Sequence, residues 1–185
     1  CNILFSTTGT LDAAVKEVLA CCAGREVVSN GKTGIYIDHE NTGSPVTTLL
    51  EEEGAISDVR YEWIPAANRP TRLTVQFINP SADWKPDSTP PLDDPGLALG
   101  TVPLREQVIS LRGCTSLAAA IALRDYYFNS GAITLRLRGL VDFRGAILQV
   151  GQKVHITTLS GVDTDFMVEQ INESAEGLYP AIFRP

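Results

Sequence analysis

Cys114 is the residue whose surroundings come nearest to chemistry. It lies in Leu111-Arg112-Gly113-Cys114-Thr115, just ahead of a helix-like stretch, and a helix N-terminus favours the thiolate. A cysteine hydrolase also needs a histidine within hydrogen-bond range. The chain has two: His39 at the end of a predicted hairpin and His155 within a predicted strand, and motif spacing for a Cys-His pair is absent. Cys114 is therefore expected to fill a small space beneath the helix. Asp163 with Asp165 has the ligand type for calcium but lacks the 12-residue ligand order of an EF-hand, so a solvated strand start is expected instead. Gly31-Lys32-Thr33 lacks both the upstream glycine of a phosphate loop and a preceding buried strand. Glu51-Glu52-Glu53 reads as a solvated turn or helix end. Trp63, Trp84 and Tyr179 offer the rings of a sugar platform, although one buried tryptophan and a packed excursion account for them more economically. No catalytic, cofactor or metal-binding residue is assigned.

Composition narrows the choice. At 185 residues and 44% hydrophobic, the chain suffices for one large domain or two small ones with real cores. The net charge of -7 is uneven: residues 1–70 carry five basic and ten acidic side chains, 71–104 two and four, and 105–185 eight of each. With a pI near 4.8 there is no general basic footprint for nucleic acid. Arg124, Arg136, Arg138 and Arg144 are expected to pair at a protein interface or with Asp125 and Asp142. Cys1, Cys21, Cys22 and Cys114 have no regular spacing, so free thiols made in a reducing cytoplasm are expected, not a zinc site or disulfide framework. No apolar run approaches the roughly 20 residues that span a bilayer. Met167 is the only methionine, and the chain reads as a fragment of a longer one. A lipid-bearing Cys1 would be followed by a polar tether, whereas here the apolar Ile3-Leu4-Phe5 begins within two residues.

The elements follow from periodicity and punctuation. Thr10 can cap a helix with Leu11, Ala14, Val15, Val18, Leu19 and Cys22 on one face, stopped by Gly24; this places Cys22 on the buried stripe and Cys21 beside it. Glu26-Val27-Val28 and Ile35-Tyr36-Ile37 flank Asn30-Gly31, a hairpin turn. Thr47 to Glu53 reads as a short helix or a loop, and Ile56 to Trp63 as a strand. Leu73, Val75 and Phe77 alternate with Arg72, Thr74 and Gln76 in a half-buried strand ended by Asn79-Pro80. Residues 80–103 hold six of the eleven prolines and predict an extended excursion that wanders over a neighbour or stays mobile. Its deletion over 81–100 is expected to leave the domain folded while weakening assembly. A strand Glu106 to Leu111 precedes a helix over 116–129, capped by Thr115 or Ser116 and stopped by Asn129-Ser130-Gly131. Arg124 falls inside its apolar face and must snorkel, find an acid, or meet another chain. Strands follow over Ile133 to Arg138 and Lys153 to Thr158, then a hairpin of Asp165 to Ile171 with Gly177 to Phe183.

This order resembles the tail-tip attachment family of long-tailed bacteriophages, the lambda-type J protein and its relatives, over most of the chain. The matching pieces are the N-terminal helix leading to Gly24-Arg25 and the Asn-Gly hairpin, the strand from Asn68-Arg69 to Asn79-Pro80 with its acidic, proline-containing excursion, Leu111 to Thr115 opening an Ala-rich helix that ends Tyr126-Tyr127-Phe128-Asn129, and the hairpin Met167 to Tyr179. Where relatives tend to place a Pro-Gly-Asp turn, this chain has Val150-Gly151-Gln152, keeping the glycine and losing the acid. The resemblance implies a structural hub: three copies closing the distal end of the tail tube, with tube, distal tail and tape-measure proteins as neighbours and host-recognition parts beyond. It also implies β-domains akin to tube proteins, two per chain, so that a trimer matches a sixfold ring.

The fold class expected is α+β, an N-terminal helix plus β-hairpin unit over 1–69, then over 70–185 a mostly antiparallel β-barrel or sandwich carrying one long amphipathic helix. Arg124, Arg136, Arg138 and Trp84 are the candidate assembly contacts. The implied chain is no enzyme and takes no cofactor; this fragment meets neither nucleic acid nor membrane, and resides in a virion tail tip assembled in the bacterial cytoplasm. The competing reading is a β-rich binding module for a glycan or surface partner.

Overall fold

Thr10 caps helix α1 (Leu11–Ala20) by accepting the Ala13 N–H. A computed structural model of the chain describes residues 10–29, 32–37, 43–133, 135–172, 174 and 177–185; Cys1, the strand-like Asn2 to Phe5, the Asn30-Gly31 turn, His39, Thr134 and Glu173 lie outside the described residues. The buried side of α1 differs from the expected stripe. Leu11 is 81% exposed and Cys22 is exposed, while Leu19 is buried and Ala20 and Cys21 pack against a core. The cause is the way this ten-residue helix docks, by its last turn: Tyr127 Oη donates to the Ala20 carbonyl at 2.7 Å, and Glu17 meets Arg112 at 3.7 Å. After it, β1 (Gly24–Ser29) and β2 (Lys32–Ile37) form the expected two-stranded sheet.

The chain divides into two compact units, each built from two separate stretches: Cys1–Glu26 with Pro65–Ala132, and Val27–Ile64 with Ile133–Pro185. The first is organised by β5 (Arg72–Asn79), whose alternation buries Leu73, Val75 and Phe77 as expected. β8 (Glu106–Leu111) pairs parallel to it, from Arg72 opposite Glu106 to Phe77 opposite Leu111. Along the other side of β5 run β6 (Lys85–Ser88) and β7 (Leu92–Asp93), both antiparallel. The excursion is thus laid against β5 and does not wander. Thr89 joins the two strands, buried, with its N–H on the Val75 carbonyl and its hydroxyl accepting the Val75 N–H. Pro90-Pro91 interrupts the edge because proline has no N–H to give a ladder, a position proline tolerates. Short α2 (Pro95–Ala98) follows, with Asp94 as its N-cap.

Ser116 caps α3 (Leu117–Ala132), its hydroxyl accepting the Ala119 N–H. The helix runs through the expected stop at Asn129-Ser130-Gly131. Glycine costs a helix about 1 kcal/mol relative to alanine, yet the helix continues to Ala132, with Phe128 buried and the Arg69 guanidinium 5.9 Å over its ring. α3 covers β5, closing a core of Val75, Phe77, Leu111, Cys114 and Ala120.

The second unit is a six-stranded sheet in the order β3 (Thr48–Leu50), β10 (Lys153–Thr157), β11 (Asp163–Ile171), β12 (Tyr179–Arg184), β9 (Leu135–Val141), β4 (Ile56–Trp63). All neighbours are antiparallel except β3 with β10. The edge strands β3 and β4 are consecutive in sequence, joined by the Glu51–Ala55 turn in which the Ala55 N–H reaches the Leu50 carbonyl. Tyr61 of β4 hydrogen-bonds Thr158 and Ser160 beyond β10. The sheet therefore curls into a half-barrel around Leu49, Ile56, Leu137, Val141, Val154, Ile156, Phe166, Val168 and Phe183. The fold is α+β as expected: helix and hairpin, then mostly antiparallel strands with one long helix. Gly151 has φ +86°, and the Tyr36 ring occupies the space a side chain would need. The turn of Val150-Gly151-Gln152 thus depends on its glycine and not on an acid.

Candidate assembly surface

The outer face of the half-barrel carries the charges that its strand alternation turns away from the core. On β9, Arg136 and Arg138 alternate with the buried Leu137 and Gly139. Arg138 lies directly opposite Arg60 of β4. Like charges directly opposed destabilise a sheet, and each arginine is answered by its own acid. Arg60 donates through Nε and Nη2 to Asp58 at 2.9–3.1 Å, and Arg138 through Nε to Glu62 at 2.8 Å. Asp58 reaches Arg60 from a bulge in β4 between Ser57 and Arg60, with φ +50°. Arg136 donates through Nη2 to Glu169 at 2.8 Å, a residue beside the bulge of β11. A cleft of about 300 Å³ opens beside these pairs, with Arg60 and Arg138 on one side, Gln170 and Asn172 on the other, and Leu140, Pro180 and Ile182 between.

Arg124 resolves its position inside the apolar face of α3 with an acid and a carbonyl. Its side chain is 11% exposed, donating through Nε and Nη2 to Asp125 and through Nη1 to the Pro90 carbonyl. It fastens α3 to the proline-interrupted edge. Arg144 meets Asp142 at 3.9 Å and Glu53 at 3.8 Å. Pairing of Arg124 with Asp125 and of Arg144 with Asp142 is as the local balance of charge suggests; Glu62 and Glu169 carry no local signal, being 76 and 33 residues from their arginines.

Neither tryptophan is buried. Trp63 at the end of β4 is 67% exposed and Trp84 is 61% exposed, correcting the expected buried ring. Trp84 and Asp83 both have positive φ, +59° and +53°, in the turn that leads into β6. Tyr179 instead lies over Gly145, which has no room for a side chain.

Cys114 is buried in the first core, its thiol donating to the Ser116 carbonyl at 3.5 Å, so it fills space beneath the helix as expected. Cys21, Cys22 and Cys114 are free thiols, and burial pushes the Cys21 thiol up. Burial likewise holds the Tyr127 hydroxyl at about 12, keeping it a hydrogen-bond donor to Ala20. His155, the other residue weighed for a Cys-His pair, belongs to β10 and is clamped by carboxylates: Asp165 on Nδ1 at 2.8 Å and Asp163 on Nε2 at 2.9 Å. The bonds to Asp165 and Asp163 raise its pKa, and Asp163 is lowered by its bonds from Thr157 and His155. Asp163 and Asp165 are thus spent on a histidine, and no cluster suited to a metal occurs among the described residues.

No protein-family model matches the chain, and no curated protein matches it. Solved structures do. The tail protein from Neisseria meningitidis MC58 superposes with a TM-score of 0.68 at 17% identity, over 99% of this chain and 57% of its own. A chain from the virion of a native gene transfer agent particle gives 0.69 at 12%, over 94% of this chain and 38% of its own. The 43 kDa tail protein of prophage MuSo2 from Shewanella oneidensis gives 0.58 at 11%, over 99% and 54%. At these identities the likeness is one of fold. The chain shares the fold of these proteins, and it spans 38% to 57% of their length.

Proposed function

We propose that the chain is a structural component of a phage tail tip or baseplate hub, assembling as a ring of three at the distal end of the tail tube and linking it to host-recognition parts. The observation that carries this reading is a fold shared, over 94% to 99% of the chain, with two tail proteins and with a chain of a gene transfer agent virion. The work of such a protein is contact and not bond breaking. Arg136, Arg138 and Trp84 supply charged and aromatic contact groups on the surface, while Arg124 holds the excursion that presents Trp84. Its partners are further copies of itself and the tube, distal tail and tape-measure proteins, met in a particle assembled in the bacterial cytoplasm.

The test is immunogold electron microscopy of particles from the source, with antibody raised against residues 71–185. Label at the distal tail end is expected. Intact particles without label, from an antibody that recognises the disrupted protein, overturn the reading. The exposed rings of Trp63 and Trp84 support a second one, a β-rich module binding a glycan or surface partner. Polysaccharide binding that Trp84→Ala abolishes in a monomeric protein is its signature.

A further inference from the structure

Two features of the surface have complementary chemistry. The first is the tip of the excursion. Asn79 accepts the Ser81 N–H and donates to Asp87, fixing the turn, and Asp83 and Trp84 then take left-handed conformations that residues with a Cβ disfavour. Strain of this kind persists where the surrounding structure enforces it, and clusters at binding sites. It holds the Trp84 ring 61% exposed and the Asp83 side chain 93% exposed, with Lys85 4.0 Å away from that carboxylate, both in solvent.

The second is the cleft on the half-barrel. Its floor of Leu140, Pro180 and Ile182 is apolar, and its walls carry Arg60, Arg138, Gln170 and Asn172, together with the Asp58 carboxylate, which Arg60 engages. Arg60 uses Nε and Nη2 on Asp58 and Arg138 uses Nε on Glu62, leaving Nη1 of Arg60 and both Nη groups of Arg138 without a partner among the described residues. The carboxamides of Gln170 and Asn172 are similarly open. At about 300 Å³ the cleft is at the lower end of the roughly 300–1,000 Å³ of ligand pockets, room for one large side chain and its neighbour.

We propose that the Asp83–Trp84 tip of one copy docks in the Arg60/Arg138 cleft of a second copy. The indole lies on the apolar floor beneath a guanidinium, an attraction between cation and ring face, and the Asp83 carboxylate takes the free Nη donors. Tryptophan and arginine are the residue types on which interface energy concentrates. Tip and cleft share no residue, so the contact pairs two different patches; repeated head to tail, it closes a ring or extends a filament. The proposal rests on the assembly reading above and names the contact through which copies meet.

Sedimentation of the full chain over a concentration series at low salt tests it. Trp84→Ala, Asp83→Lys and Arg138→Glu are each expected to weaken self-association about tenfold or more. The double variant Asp83→Lys with Arg138→Glu is expected to recover most of that loss, with circular dichroism melts confirming that every variant is folded. A wild-type chain that remains monomeric throughout overturns the proposal, as do single variants that associate like wild type or a double variant no better than the weaker single. Self-association indifferent to these residues would remove the contact and leave the hub reading standing. Particles without distal label would remove the hub reading and leave a measured contact standing.

Discussion

A methyl group on residue 139 would lie 2.7 Å from Cδ1 of Ile56, which is wholly buried, so the glycine of β9 exists to admit that side chain. Gly139→Ala is expected to cost about 1–3 kcal/mol by overpacking, read as a lowered urea midpoint with unchanged m-value. An unaltered midpoint would mean that Ile56 has another rotamer to move into. His155 gives a prediction with a pH sign. Its folded pKa is raised above the ordinary 6.5 by Asp165 and Asp163, with Thr157 also on Asp163 and Lys153 at 3.8 Å from Asp165. A raised pKa means that the folded state holds the proton more tightly than the unfolded. The stabilisation is full below the ordinary histidine value and is lost as pH rises through the folded one. Asp163 is lowered, so its share is lost only as pH falls through its folded value. Melting temperature followed from pH 5 to 9 should fall more steeply on the alkaline side for wild type than for His155→Gln. Parallel profiles would show that the clamp does not form in solution.

The excursion and the first helix make the corresponding case among elements. β6 and β7 pair with β5, Thr89 is buried, Arg72 holds Asp93 by two hydrogen bonds at 2.7 and 2.8 Å, and Asp94 meets Arg69 at 2.9 Å. Deleting 81–100 removes one whole flank of β5, so the deletion is expected to abolish cooperative unfolding of the first unit and not merely weaken assembly; slow hydrogen exchange retained along β5, β8 and α3 would show that β5 survives with β8 and α3 alone. Tyr127→Phe leaves the Ala20 carbonyl without its donor and should cost about 1 kcal/mol, with faster hydrogen exchange along α1. Much of this was legible in the residues. Ile56–Trp63 and Glu106–Leu111 are strands within the expected bounds, and the alternation of Leu73, Val75 and Phe77 reads directly as the buried side of β5. What was not legible has physical causes. Three-residue β3 is too short to show a period, and its partner is in β10, far along the chain. Proline-rich composition signals irregularity, yet an edge tolerates proline and so hides β6 and β7. The stripe of α1 fails at Cys22 because a short helix docks where its neighbours are, not where its mean hydrophobic direction lies. Of the candidate contacts, Arg136 and Arg138 follow from alternation, while the bulge that aims Asp58 at Arg60 has no mark beyond an acid tolerant of positive φ.

For the molecule as a whole, the decisive relation is that between β4 and β9. They pair antiparallel with Trp63 opposite Leu135, so the chain leaves the half-barrel at the end of β4 and re-enters it beside the point of departure. Residues 65–132, the larger stretch of the first unit, are therefore inserted where a hairpin turn would serve. An antiparallel pair in this register needs only two residues to close, and Asn-Gly supplies the positive φ angles of that turn. Replacing 65–133 by Asn-Gly would put Ile64 opposite Thr134, one step beyond the observed pair. The six-stranded sheet and its core, from Leu49 to Phe183, would keep every member. By contrast, a fragment of residues 133–185 lacks both edge strands and the buried Leu49, Ala55 and Ile56. The shortened chain is expected to show a β-type circular dichroism spectrum and one cooperative melt, and the 133–185 fragment neither. If the shortened chain collapses without a cooperative transition, the half-barrel needs more than its own core, and the two units fold as one.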